Sequence, residues 1–298
     1  MGVTRDAPSL QDNIDTPPHP PPQGGREPTL RARLTMSPEL AFILSLVLRM
    51  AVAAAFVVIA SMITERSGPA IGALIATLPV SGGPSYVFLA IDHDDAFIAQ
   101  SALASVPMNA ASVLMSMAFI FLVQRFSTVV CLAGALGAWF AVAFVVSTVE
   151  WSLVTSILLN VIVFAICLPL AQRFRVARMP LVTSRWYDIP LRATLVATLV
   201  AVVVTLSNTV GPRISGVIAL FPAAYTSLIL ILTPRIGGAA TAALLANGQW
   251  GLIGFGLGVL TIHLATPPLG RAAALSLALA VCILWNLGLY AYGHRRKA

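Results

Sequence analysis

An arginine inside an apolar run is costly unless it meets an anion, a partner or the water interface. This chain has two such residues, Arg49 and Arg192, each at the entry to an apolar run. Neither has to bind a ligand, because a long basic side chain a turn or two inside a helix also reaches the headgroups by lying along it. The tetrad Asp92-His93-Asp94-Asp95 carries metal-ligating types. Four adjacent residues cannot all converge on one ion, however, and no second His or Glu cluster completes a set. The sequence also lacks a GxSxG elbow, a P-loop, an HExxH pair and a dinucleotide fingerprint. Recognition is the chemistry that remains, so the expectation is no enzyme, no cofactor and no metal.

Hydroxyls beside helix breakers are the clearest recognition signal. Pro79 is followed by Ser81-Gly82-Gly83-Pro84-Ser85, and Pro222 by Ala223-Ala224-Tyr225-Thr226-Ser227. A helix starting at Pro69 rises roughly 15 Å by Pro79, about half of a ~30 Å hydrocarbon core, so the break falls near the midplane. The glycines should unwind the helix fully at the first site, whereas the lone Pro222 predicts a kink at the second. Backbone freed at that depth is tolerated only where protein or a water-filled cavity satisfies it. Arg49, Pro79, Ser81, Gly82, Gly83, Ser85, Asn109, Arg192, Pro222, Thr226, Ser227, Asn247 and Gln249 are therefore the expected substrate-binding residues. The structural alternative is a proline kink packed in a bundle, with the amides bonding across helices.

The elements that must position these residues are membrane helices. Hydrophobic residues make up 58% of the 298, only 10% are charged, and mean hydropathy is +0.90. A soluble domain carries about 25% charge, so an ordinary soluble globule is excluded. The formal charge of +7 comes from basic residues lying between apolar runs and not on one face, which reads as topology and not as nucleic-acid binding. The runs predict nine spans: 39–63, 69–91, 96–123, 128–148, 151–171, 189–207, 212–233, 239–265 and 272–292. Residues 1–36 are a proline-rich tail expected to be disordered, with Met36, ahead of the helix-start signal Ser37-Pro38-Glu39, an alternative translation start. Residues 172–187 form a basic connector between membrane parts 37–171 and 188–298. Arg173, Arg175, Arg178 and Arg185, together with Arg295, Arg296 and Lys297, place that connector and the C-terminus in the cytoplasm and Asp92–Asp95 outside. A re-entrant 69–91 segment is the alternative that returns the N-terminus to the inside. Cys131, Cys167 and Cys282 lie within apolar runs at unpaired spacings and predict neither a disulfide nor a zinc site.

The chain also repeats itself at a spacing of 143 residues. Gly68–Pro79 aligns without a gap on Gly211–Pro222 with six of twelve positions identical, and Arg49 falls opposite Arg192. Five spans in the first copy and four in the second make the fold class all-α and polytopic, two repeats inverted across the membrane, as in many secondary transporters. The Gly-Pro-x-Ile…Pro repeat and the segment Arg185-Trp186-Tyr187-Asp188-Ile189-Pro190 resemble an uncharacterised, duplicated family of bacterial inner-membrane proteins. That resemblance implies the bacterial plasma membrane and carries no function. The expectation is a permease for a small solute, most plausibly a small organic anion, held near the midplane between broken helices. Its partners would be the bilayer, the solute and, as an open option, further copies of the chain. A non-transporting scaffold or assembly protein is the alternative.

Overall fold

The computed structural model describes residues 37–66, 81–175 and 185–295, and the regular elements among them are all helical. In chain order these are α1 (Pro38–Arg66), α2 (Gly82–Asp92), α3 (Asp95–Leu122), α4 (Thr128–Thr148), α5 (Leu153–Gln172), α6 (Asp188–Ala219), α7 (Ala223–Leu269) and α8 (Arg271–Arg295). The chain divides into two units, Met1–Ala41 and Phe42–Ala298. In the first, the Ser37 hydroxyl accepts the Leu40 N–H at 3.2 Å and Glu39 lies in the first turn, which caps the start of α1. The tail and the first-copy segment around Pro79 lie outside the described residues, as does most of the basic connector.

Six described stretches are long and apolar enough to cross a membrane: Pro38–Ile63, Asp95–Leu122, Thr128–Thr148, Leu153–Gln172, Asp188–Leu269 and Arg271–Gly293. Long apolar helices with their aliphatic faces turned outward, such as α1, mark a membrane protein. The described residues do not show nine separate helices, but in the second half the expected boundaries at 207–212 and 233–239 are present as one-residue breaks. The chain stays helical past residue 207, leaves helical geometry at Gly211, continues to Ala219, stops, restarts at Ala223, and breaks again at Gly237 before running on to Leu269. Gly211 (φ 76°) and Gly237 (φ 80°) each turn the chain by one residue in a conformation that only glycine adopts without strain. A single such residue redirects a helix without needing a loop.

Two expectations about the breaks also change. Pro222 ends α6 outright and does not merely kink it: Leu220–Pro222 are non-helical, because Pro222 offers no N–H and its ring would meet the Ile218 carbonyl. Gly82-Gly83-Pro84, expected to be unwound, form the first turn of α2 instead, where a proline costs little because first-turn N–H groups have no helical partner.

α3 is the hub, buried along most of its length against α4, α5, α6 and α7. Its small residues, among them Ser101, Ala102, Ser105, Ala110, Ala111 and Ser112, let other backbones come close. Against α7 it runs antiparallel: Ala99 O meets His263 Nδ1 at 2.8 Å, Ser116 Oγ accepts from Gln249 Nε2 at 3.0 Å, and Val123 lies against Gly238.

Helix starts recur at the sequence spacing of 143. α3 and α4 begin at Asp95 and Thr128; the part of α7 after its kink and α8 begin at Gly238 and Arg271. The junction residues Asp94 and Ser127 are extended (ψ 175° and 157°), and their counterparts Gly237 and Gly270 keep similar ψ (164° and 157°) at positive φ. α5 has no counterpart in the second copy.

Candidate functional site

The start of α2 meets the end of α6. A Cβ built on Gly82, at the start of α2, would lie 3.6 Å from the Ala219 carbonyl oxygen at the end of α6 and 3.3 Å from the ring of Phe255 on α7. The half-helix that places Ala219 there docks on α3 by its backbone. At Gly216 a Cβ would come within 2.0 Å of Ser101 O, and Ser105 Oγ donates to Gly216 O at 2.7 Å. Tyr86 joins this knot through Ser105 Oγ at 2.5 Å.

Each restarting helix carries a hydroxyl in its opening turns. Ser85 Oγ in α2 and Thr226 Oγ1 in α7 are buried with no hydrogen-bond partner among the described residues. Neither helix has a side-chain cap at its start, the cap positions being Ser81 and Pro222. Ser227 differs, since its hydroxyl donates to Ala224 O at 2.8 Å. Gly83 faces open space, with nothing within 4 Å of where its Cβ would be. Pro79 lies outside the described residues.

The remaining expected site residues are tied into the framework elsewhere. Asn109 Nδ2 donates to Asn160 Oδ1 at 3.0 Å, and Asn160 Nδ2 donates to Val106 O at 2.8 Å, beside Pro107 within α3. Gln249 bonds Ser116, while Asn247 Oδ1 accepts from Arg175 Nε at 2.7 Å near the end of α5. Arg49 does not border the break. Its fork grips Asp92, with Nη2 donating to Oδ1 at 2.7 Å, at the far end of α2 from Gly82. Eleven helical residues separate those ends by roughly 15 Å. Arg192, half-buried on α6, is near enough for its charge to act on Asp188.

A buried carboxylate lies outside the expected site residues. Asp188 is 6% exposed and takes both forks of Arg235, whose Nη1 donates to Oδ2 at 2.7 Å. The two ion pairs are alike in form. Each is a bidentate guanidinium–carboxylate bridge between the first helix of a copy and the far end of the half-helix after the break, with the guanidinium over an aromatic ring. Arg49 sits 5.8 Å from the Phe88 centroid and Arg235 5.0 Å from that of Tyr187. The same guanidinium, with Arg185, holds the Tyr187 phenol below its ordinary range. The signal was available: at the repeat spacing Asp92 stands opposite Arg235, acid against base, so the bridges are built with reversed polarity.

Asp92–Asp95 diverge as their adjacency requires. Asp92 pairs with Arg49, His93 bonds Ser207 at 2.9 Å, Asp94 caps α3 at Phe97 N, and Asp95 pairs with Arg271 at 3.2 Å. Partial burial holds the His93 imidazole below its ordinary value, against the pull of Asp92 and Asp94.

Two cavities adjoin these features. One, of about 270 Å³, lies between α1, α2, α7 and α8, reaches the start of α2 at Gly82, Gly83 and Pro84, and has an almost wholly apolar lining. The other, of about 240 Å³, is polar and contains the Arg49–Asp92 pair with Ser45 and Asn208. No family model matches this chain, and neither does any curated protein or solved structure.

Proposed function

We propose that this chain is a secondary transporter of the bacterial inner membrane that moves a small organic anion past the meeting point of its interrupted helices. The observation that carries this reading is the pair of helix starts without a side-chain cap, each with a buried hydroxyl lacking a partner among the described residues; Ser101 and Thr233 carry the other such hydroxyls. A helix N-terminus favours negative charge, and Ser85 and Thr226 would orient the guest's polar end. The antiparallel packing of α3 on α7 and the recurring helix starts support two inverted repeats of five and four spans. In this reading the repeats rock about the site to expose it alternately to each face, with the Arg49–Asp92 and Arg235–Asp188 bridges keeping each first helix attached to its half-helix.

Liposomes containing the purified protein, offered a panel of small carboxylates and neutral metabolites, test the activity. Ser85→Ala and Thr226→Val should each lower transport of the active solute about tenfold without lowering thermal stability, because deleting an unpartnered buried hydroxyl does not harm folding. Undiminished transport in both variants removes these hydroxyls from the mechanism. Failure of the wild type to bind or move any solute leaves a membrane scaffold as the better account. Orientation is tested by reporter fusions: a cytoplasmic signal at the C-terminus and a periplasmic one after Asp94 are expected, and the reverse pattern overturns it.

A further inference from the structure

The apolar cavity is lined in part by residues smaller than those at the repeat spacing. At the repeat spacing, its lining residues Gly82, Gly258, Ile262 and Cys282 stand opposite Tyr225, Met115, Phe119 and Trp139. Each of the four is smaller than its counterpart. Met115, Phe119 and Trp139 are buried in the core, Trp139 edge-on to Phe221 at 5.4 Å. These small residues border the space of about 270 Å³.

Its chemistry limits what can enter. Polar groups contribute almost nothing to the lining, and an apolar cavity holds no ordered water while accepting hydrocarbon. Val52, Phe56 and Leu279 line it and are each about half exposed on the outward surface of helices long enough to span a membrane, so the entrance faces the bilayer. The inner end lies against Gly82 and Gly83, whose N–H groups open α2.

We infer that this cavity binds the hydrocarbon chain of a single-chain carboxylate taken from the bilayer, with the carboxylate at the first turn of α2. The inference rests on the transporter reading and narrows its solute from small anions generally to an amphiphile of this class. Gly83 supplies the control over occupancy. A Cβ there meets nothing within 4 Å, so Gly83→Leu adds bulk at the cavity from an unobstructed position, and Val52→Trp adds it from α1. Gly137→Leu, on the exposed face of α4 and equally unobstructed, adds the same bulk away from the cavity.

The test uses palmitic acid carrying a chain diazirine, added to phosphatidylethanolamine–phosphatidylglycerol vesicles containing the full chain, with cross-linked peptides mapped after irradiation. Labelling is expected to concentrate on the cavity-lining residues of α1, α2 and α8. It should fall about tenfold in Gly83→Leu and Val52→Trp, corresponding to the lost burial of a few methylenes, and persist in Gly137→Leu. Labelling spread evenly over the outward faces of α1, α4 and α5, or unchanged by both filling variants, overturns the inference. Site-specific labelling without transport of any carboxylate leaves the pocket standing and removes the transporter. Transport of short carboxylates unaffected by Gly83→Leu and Val52→Trp does the opposite.

Discussion

Asp188→Ala is expected to lower the stability of the purified protein by about 3–5 kcal/mol, because it strands the Arg235 guanidinium without its counter-ion in a nearly closed site. Side-chain exposures of 10% for Arg235 and 9% for Asp188 leave little water to take over the lost bonds. The Arg49–Asp92 pair, 19% exposed on each side, should cost less when Asp92 is truncated. Glu150→Ala should change nothing measurable: Glu150 is 93% exposed and lies 3.4 Å from Arg213. The double variant Asp188→Leu/Arg235→Met separates a lost interaction from a stranded charge, since replacing both partners by apolar residues should restore most of the loss. Thermal melts in detergent, followed by tryptophan fluorescence, measure the series. A melting point for Asp188→Ala matching the wild type, or a double variant worse than the sum of its singles, would refute the account.

Gly216→Ala is the second large effect. One methyl group there would sit 2.0 Å from Ser101 O and 2.8 Å from Ser101 C, and both are backbone atoms of the central helix. No rotamer change relieves such a contact. The half-helix has to lift from α3, which stretches the Ser105–Gly216 bond and moves Ala219 away from Gly82. Overpacking typically costs about 1–3 kcal/mol, and a backbone obstacle puts this case at the upper end or beyond. Gly83→Ala is the matched control: it too lies in a helix, nothing obstructs its Cβ, and it should be neutral or stabilising by about 0.5–1 kcal/mol. Equal melting points for the two variants would mean that the half-helix does not depend on this approach.

Much of the first half was legible because its spans are separated by polar turns. The expected 128–148 is α4, and 96–123 and 151–171 fall within two residues of α3 and α5. Hydropathy marked the boundaries at 207–212 and 233–239, but not their form: one positive-φ glycine supplies the whole change of direction and helix resumes at once. Pro222 was misjudged because one proline does not reveal whether the helix behind it bends or ends. The ion pairs were hidden by distance along the chain, 43 residues in one case and 47 in the other. Asp188 was hidden also by its place in Asp-Ile-Pro, which reads as a helix start at the water interface. Of the expected site residues, Gly82, Gly83, Ser85 and Thr226 lie at the restarting helices, whereas Arg49, Asn109, Asn247 and Gln249 are bound into the frame. Residue type announced polarity in all of them; only three-dimensional neighbours separate an idle hydroxyl from an employed amide.

The reversed bridges bear on how the protein responds to the voltage across its membrane. Carrying one elementary charge through the whole field takes about 2.3 kcal/mol per 100 mV. Arg49 and Asp92 are joined to each other, as are Arg235 and Asp188, so each pair sums to zero and adds nothing to the electrical work of moving the helix end that carries it. Neutralising one member of a pair would leave a net charge there for the membrane field to act on.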